Sequence, residues 1–177
     1  MSKNGYRQPR FVRKIPPGDN MERAVCVECG FVDYQNPKIV VGSVAAWGEK
    51  ILLCKRAIEP RSGYWTLPAG YLELGETAED GARREAQEEA CADIEIDRLL
   101  AVYSVPRISQ VQLMFRARLA APEIAAGPES AEVGLFDWKN IPWPDIAFPS
   151  AGWALRQYRE TIGKSDFPPF SNPIDGL

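Results

Sequence analysis

Strict alternation of apolar and polar residues over 110–119 predicts a strand with Val111, Leu113, Phe115, Ala117 and Leu119 on one face and Gln112, Arg116 and Arg118 on the other. Two β-branched and apolar runs, 38–47 and 50–57, flank Gly48-Glu49 and read as a hairpin. Residues 94–105 form a further strand region, and 132–138 a last short one. Between these strands, 77–90 reads as a helix: Thr77 is a suitable N-cap with Asp80 three residues on, and Glu79 and Asp80 sit where the helix dipole favours negative charge. A second helix, capped by Ser150 and stopped by Gly163, runs to about Ile162 and turns Trp153, Leu155, Tyr158 and Ile162 inward. Strands interrupted by one helix and closed by another define an α/β fold, a mixed sheet between helical layers.

The first helix carries the chemistry. A step of about 100° per residue puts Glu85, Glu88 and Glu89 within one narrow face, while Ala82, Ala86 and Ala90 form a stripe that lets the helix lie close to a sheet. Like charges at these spacings oppose helix formation, and oxygen-preferring divalent cations such as Mg²⁺ relieve the repulsion. Gly81, one turn before Glu85, is read as leaving room for metal and phosphate. The competing reading is a solvated acidic face.

Composition narrows the chemistry further. The chain has 177 residues, 45% of them apolar, which suits one substantial core with short appendages: an N-terminal arm over 1–36, a catalytic domain over 37–163 and a proline-rich tail over 164–177, expected to hang loose or strap a partner. A net charge of −3 argues against a nucleic-acid partner bound by phosphate neutralisation. No apolar run approaches a membrane span and the start lacks a secretory h-region, so a cytoplasmic protein is expected. The absence of histidine excludes a Ser/His or Cys/His nucleophile and leaves carboxylates as the acid–base groups.

Gly70, five residues, Glu76, seven residues, then Arg84-Glu85-Ala86-Gln87-Glu88-Glu89 resembles the signature of the Nudix hydrolases, with every fixed charge present. The pattern's following glycine is Cys91 here, and its bulky aliphatic positions are Ala86 and Ala92. Because cysteine adopts a left-handed backbone less readily than glycine, the helix is expected to run a residue or two longer. The resemblance implies an α/β/α sandwich and a Mg²⁺- or Mn²⁺-dependent pyrophosphohydrolase. Carried over by position, Glu85 and Glu89 would be the main metal ligands, with the Ala69 carbonyl completing the set. Glu88 would bind a further metal or help deprotonate water, and Arg84 would pair with Glu76 to fix the loop. A general base outside the helix falls to Glu132 first and Glu129 second.

Cys26-Val27-Glu28-Cys29-Gly30 followed by Asp33-Tyr34-Gln35-Asn36-Pro37-Lys38 is similar to the zinc ribbon that precedes one Nudix subgroup. A structural zinc needs four ligands, and the upstream stretch Asn4-Gly5-Tyr6-Arg7 offers no cysteine. The readings are a ribbon without metal or two subunits pooling Cys26 and Cys29 around one zinc. The knuckle, Tyr64 to Gly70 and Ser104 to Val111 together resemble Nudix enzymes that cleave FAD to FMN and AMP, or ADP-ribose to AMP and ribose 5-phosphate. Arg56, Arg61 and Arg107 would meet the diphosphate, and Tyr103, Phe115 and Trp65 are weighed as a flat surface against the plainer role of core. The alternatives are an NADH pyrophosphatase, whose Ser-Gln-Pro-Trp-Pro-Phe-Pro signature is missing, and a sensor that binds a nucleotide or ADP-ribose without cleaving it. Relatives that cleave dinucleotides suggest a homodimer, across which the basic arm (Arg7, Arg10, Arg13, Lys14, Arg23) could reach.

Overall fold

The computed structural model describes residues 8–174, so the Asn4-to-Arg7 stretch, with Arg7 of the basic arm, lies outside the described residues. The chain divides into two compact units, Met1–Asn36 and Pro37–Leu177. In the first, β1 (Phe11–Lys14), β2 (Arg23–Cys26) and β3 (Val32–Asp33) form an antiparallel sheet in the order β1-β2-β3.

The second unit begins with the expected hairpin of β4 (Lys38–Trp47) and β5 (Lys50–Arg56), which turns at Gly48 with φ 60°. The two strands pair only at Ala46–Ile51 and Trp47–Lys50. Beyond that they part, and the opening is filled by β6 (Trp65–Thr66) against β5 and β7 (Ala69–Tyr71) against β4. Gly42 permits this insertion, because a Cβ there would stand 2.8 Å from the Pro68 carbonyl oxygen and collide with Ala69. After helix α1 (Ala78–Ala90) come β8 (Ile94–Val105), β9 (Gln110–Leu119) and β10 (Ser130–Asp137). The sheet order is β10-β5-β4-β9-β8, with β4 parallel to β9 and the other pairs antiparallel, so the sheet is mixed as expected.

Alternate residues of β5 show where the helices lie. Leu52 and Cys54 pack with Ala86 and Ala90 of α1, whereas Ile51 and Leu53 pack with Ala151, Ala154 and Leu155 of α2 (Pro149–Glu160). Successive strand residues point to opposite faces, which places α1 and α2 on the two sides of the sheet. Ser150 does not cap α2. Phe148 occupies the N-cap and Pro149 the first helical position, where a missing N–H costs nothing and φ is already helical. The helix ends at Glu160, and Ile162, expected on the apolar side, lies beyond it and is exposed.

The C-terminal segment is tied to its own chain rather than loose. The Phe170 N–H donates to the Leu100 carbonyl (2.8 Å), the Val102 N–H donates to the Phe170 carbonyl (2.9 Å), and the Asn172 side chain bonds both the N–H and the C=O of Ser104. This pairing covers the free edge of β8. Among the described residues no helix is long and apolar enough to cross a membrane.

Candidate active site

Helix α1 starts where the sequence indicates: Thr77 Oγ1 accepts the Asp80 N–H at 3.1 Å. Its end differs from expectation. Cys91 adopts the left-handed conformation (φ 48°, ψ 31°) and its N–H returns to the Ala86 and Gln87 carbonyls, so the helix stops at Ala90. The backbone geometry usually assigned to glycine is kept, and the cysteine side chain is accommodated by pointing into solvent. Ala82, Ala86 and Ala90 are fully buried, which seats the helix directly on the sheet.

That close seating divides the acids. Glu85 and Glu89 are 7% and 5% exposed, while the Glu88 side chain is largely in solvent. Gly70 sits over the inner pair: a Cβ at this position would fall 2.5 Å from the Glu85 carboxyl carbon. The glycine is therefore required by the Glu85 carboxylate itself. Gly81 has a different purpose from the one expected. A side chain there would strike Glu76 and Val41, both at 2.8 Å, so its absence serves loop and sheet packing rather than leaving space for a ligand.

Arg84 organises the outer acids. Its guanidinium donates to Glu76 (2.8 and 3.1 Å), Glu85 (2.6 Å), Glu88 (2.9 Å) and the Tyr71 carbonyl (2.9 Å). Glu76 also accepts the Glu73 N–H at 2.7 Å, which pins the loop onto the helix. Arg84, followed by that amide, holds the Glu76 carboxyl down at about 2. Glu89 is the opposite case. Burial, then the neighbouring charge of Glu85, push its carboxyl up to about 8, against partial relief from the Ala69 amide and Arg56. Burial likewise raises Glu85, with Arg84 pulling the other way.

Glu89 Oε2 is buried and has no hydrogen-bond partner. An orphaned carboxylate oxygen beside a second desolvated carboxylate is a donor set that fits a hard divalent cation. In the arrangement described, Arg84 holds Glu85 and Glu88, and no three acids, cysteines or histidines among the described residues converge on one point.

The remaining predicted residues divide between site and scaffold. Arg56 lies at the end of β5 within reach of Glu89's charge, donates to the Pro60 carbonyl (2.8 Å) and stacks on Phe148 (5.2 Å). Arg61 is exposed in the following loop over the Tyr64 ring (5.3 Å), and Arg107 is exposed in the turn joining β8 to β9. Strand directions bring all three to one end of the sheet. Glu132, the first choice for a loop base, points elsewhere: a bulge after Ser130 sets it opposite Lys55, to which it pairs at 3.4 Å. Glu129 is the loop acid whose charge reaches both Glu85 and Glu89. Its loop is clamped to the end of α1, where the Gly127 N–H donates to the Glu89 carbonyl (3.1 Å) and no Cβ could fit against the Glu88 carbonyl. Tyr103, Phe115 and Trp65 are all buried core. Sequence reasoning missed Tyr71, an exposed ring next to Gly70 with Lys38 Nζ 4.8 Å above it and its hydroxyl accepting from Gln110 (3.3 Å). Its place directly after Gly70 was the available signal.

Residues 36–157 match the NUDIX domain family and residues 8–35 the Nudix N-terminal family. The chain belongs to the Nudix hydrolases and is a pyrophosphohydrolase of that family. It is similar to the ADP-ribose pyrophosphatase of Methanocaldococcus jannaschii, with 34% identity over 62% of this chain and 67% of that one. It is also similar to the NAD-capped RNA hydrolase NudC of Stutzerimonas stutzeri, with 34% identity over 68% of this chain but only 44% of the relative, so it spans less than half of that protein. A NUDIX hydrolase from Nitrosomonas europaea shares its structure with a TM-score of 0.87 and 45% identity, over 97% of this chain and 98% of the other. The NUDIX domain of Shewanella oneidensis NrtR complexed with ADP ribose shares the fold at a TM-score of 0.62 and 20% identity, over 73% and 90% of the two chains.

Proposed function

We propose that this chain hydrolyses the diphosphate of a nucleoside diphosphate linked to a second group, with ADP-ribose first and FAD second, in a reaction dependent on Mg²⁺ or Mn²⁺. The observation that carries this reading is the buried Glu89 carboxylate, with its Oε2 unpartnered, beside Glu85 beneath Gly70. Glu85, Glu89 and the Ala69 carbonyl would hold the cation, and Glu88 a further one. Divalent cations, when bound, supply neutralisation of the diphosphate oxygens and a lowered pKa for an attacking water. Arg84 and Glu76 hold the loop to the helix and keep Gly70 over the acids. Glu129, in place of Glu132, would take the proton of the attacking water, since its charge reaches both Glu85 and Glu89. Arg56, Arg61 and Arg107 meet the phosphates, and the Tyr71 ring offers a flat face to a base or sugar.

The name of the Methanocaldococcus relative favours ADP-ribose, while FAD rests on resemblance in the flanking segments alone. A second reading, cleavage of an NAD-type dinucleotide free or as an RNA cap, is favoured by the similarity to NudC and by the match to the Nudix N-terminal family. One panel distinguishes them: purified chain with Mg²⁺ or Mn²⁺ and ADP-ribose, FAD, NADH, NAD-capped RNA or nucleoside triphosphates, scored by release of AMP or monophosphorylated product. ADP-ribose is expected to give the highest kcat/KM. A chain that binds ADP-ribose and releases no AMP with either metal is a sensor, and the catalytic reading is then lost.

A further inference from the structure

The Nudix N-terminal family is a zinc-ribbon family, and the donor set of this chain does not fit a zinc ion. A structural zinc takes four sulfur or nitrogen ligands, normally from two knuckles. This chain has no histidine and four cysteines. Two of these, Cys54 on β5 and Cys91 at the end of α1, belong to the other unit. The strand that faces the knuckle brings no ligand: β1 sets Phe11 opposite Cys26, then Val12, Arg13 and Lys14 along β2. Its flanking Arg10, with Arg13 and Lys14, adds positive charge where a second pair of thiolates would be needed. Of the acids of this unit outside the knuckle, Asp19 is engaged by Arg23 (2.9 Å) and Glu22 by Arg13 (3.6 Å), and Asp33 stands on β3 opposite Ala24 rather than opposite the knuckle.

A protein contact takes the place that the metal would fill. Glu28, inside the knuckle, accepts the Cys26 thiol at 3.1 Å and the Arg10 N–H at 3.3 Å through one oxygen, Oε2. The Val27 N–H donates to the Arg10 carbonyl (3.0 Å), the Cys26 N–H to the Phe31 carbonyl (2.8 Å) and the Gly30 N–H to the Cys26 carbonyl (2.9 Å). Cys26 is buried by this closure and lies within hydrogen-bonding reach of the Cys29 backbone and thiol, while Cys29 itself is exposed. We infer that the ribbon of this chain is closed without zinc, by a carboxylate clasp in which Glu28 joins the Cys26 thiol to the backbone that enters β1, leaving Cys29 as a free surface thiol.

The test uses the full chain, purified from zinc-supplemented cells without chelator. Elemental analysis is expected to find almost no zinc, and an aromatic disulfide reagent with peptide mapping is expected to label Cys29 at once and Cys26 slowly, with rates unchanged by a strong zinc chelator. Zinc at about half an equivalent per chain or more, released as the thiols are modified, would mean that one chain or two copies build a metal site, and the clasp would be refuted. Glu28→Ala is expected to speed labelling of Cys26 by about tenfold or more, since loss of the clasp makes the local opening that exposes the thiol more frequent. Glu28→Gln, which keeps the shape and one acceptor, covers the case in which the alanine variant unfolds and is expected to fall between the two. Equal labelling of Cys26 in the wild type and Glu28→Gln, both slow, together with full protection of Cys29, would also overturn the inference.

Discussion

Glu76 and Glu89 are the same side chain in contact with the same helix, and the protein drives them in opposite directions. Glu76 sits on the rim, gripped by Arg84 and the Glu73 amide, and is held down at about 2. Glu89 is buried with one oxygen unpartnered and is pushed up to about 8. Arg84 accounts for the division, because its donors are committed to Glu76, Glu85, Glu88 and the Tyr71 carbonyl and none reaches Glu89. The rim acid is stabilising structure; the inner acid is a cost that a cation at the proposed site would offset. The most severe way to test this contrast is Glu89→Gln. The amide removes a buried ionisable carboxyl without changing shape, so kcat is expected to fall by several orders of magnitude while the thermal midpoint without metal, read above pH 8 where the carboxyl is charged, stays at or above wild type. A midpoint well below wild type, or near-full turnover, would place Glu89 with the structural acids.

The same contrast separates two acids of one loop. Glu129 acts on the inner pair, whereas Glu132 is paired with Lys55 on the surface. Glu129→Gln is expected to lower kcat by about 10²- to 10⁴-fold, the span of a lost general base. Glu132→Gln loses only an exposed ion pair worth about 0–1 kcal/mol and should leave kcat unchanged. Steady-state kinetics on both variants decides the assignment, and equal losses would count against it.

Gly70→Ala probes the cradle. Its new Cβ would occupy the place of the Glu85 carboxylate, so loop or acid must move by about an ångström, a displacement that costs on the order of 10²-fold in kcat/KM. Gly81→Ala should act differently, lowering the thermal midpoint through its clash with Val41 and Glu76 while a folded fraction keeps its kcat. The two variants together show whether loop glycine and helix glycine serve chemistry and packing respectively.

Much of this was legible in the chain. Period and capping located both helices and the main strands, because their side chains face a core on one side and solvent on the other. The fixed acids were legible for a related reason: clustered like charge is costly, and its presence marks a purpose. What escaped were contacts set by tertiary approach. Nothing local distinguishes Gly70, which makes room for a carboxylate, from Gly81, which makes room for Val41 and Glu76. Nor does spacing reveal that a bulge after Ser130 turns Glu132 toward Lys55, while the charge of Glu129 reaches Glu85 and Glu89. The Cys91 cap was misread because propensity describes cost and not prohibition: a residue exposed at its side chain can take φ 48° when two carbonyls receive its N–H. The C-terminal segment carries no periodic signal, since scattered contacts hold it: the backbone pairing at Phe170, Asn172 on Ser104, Gln157 on the Ser171 carbonyl, Arg98 on Asp166, and the Phe167 and Phe170 rings against the core.

The gentlest test of the opening contrast is the acid side of Glu76. Its folded-state value of about 2 lies below its ordinary 4.5, so the charged form is favoured by folding. The stability it contributes is complete above pH 4.5 and is lost as pH falls through about 2, because protonation then frees Arg84 and the Glu73 amide. Glu76→Gln is therefore expected to be less stable than wild type at neutral pH, with the gap closing as pH is lowered across that window. Added salt should narrow the gap as well, since the pair is reached by solvent. Urea titrations at several pH values measure the difference directly. A gap that persists unchanged below pH 2 would show that shape at this position, and not its charge, joins the loop to the helix.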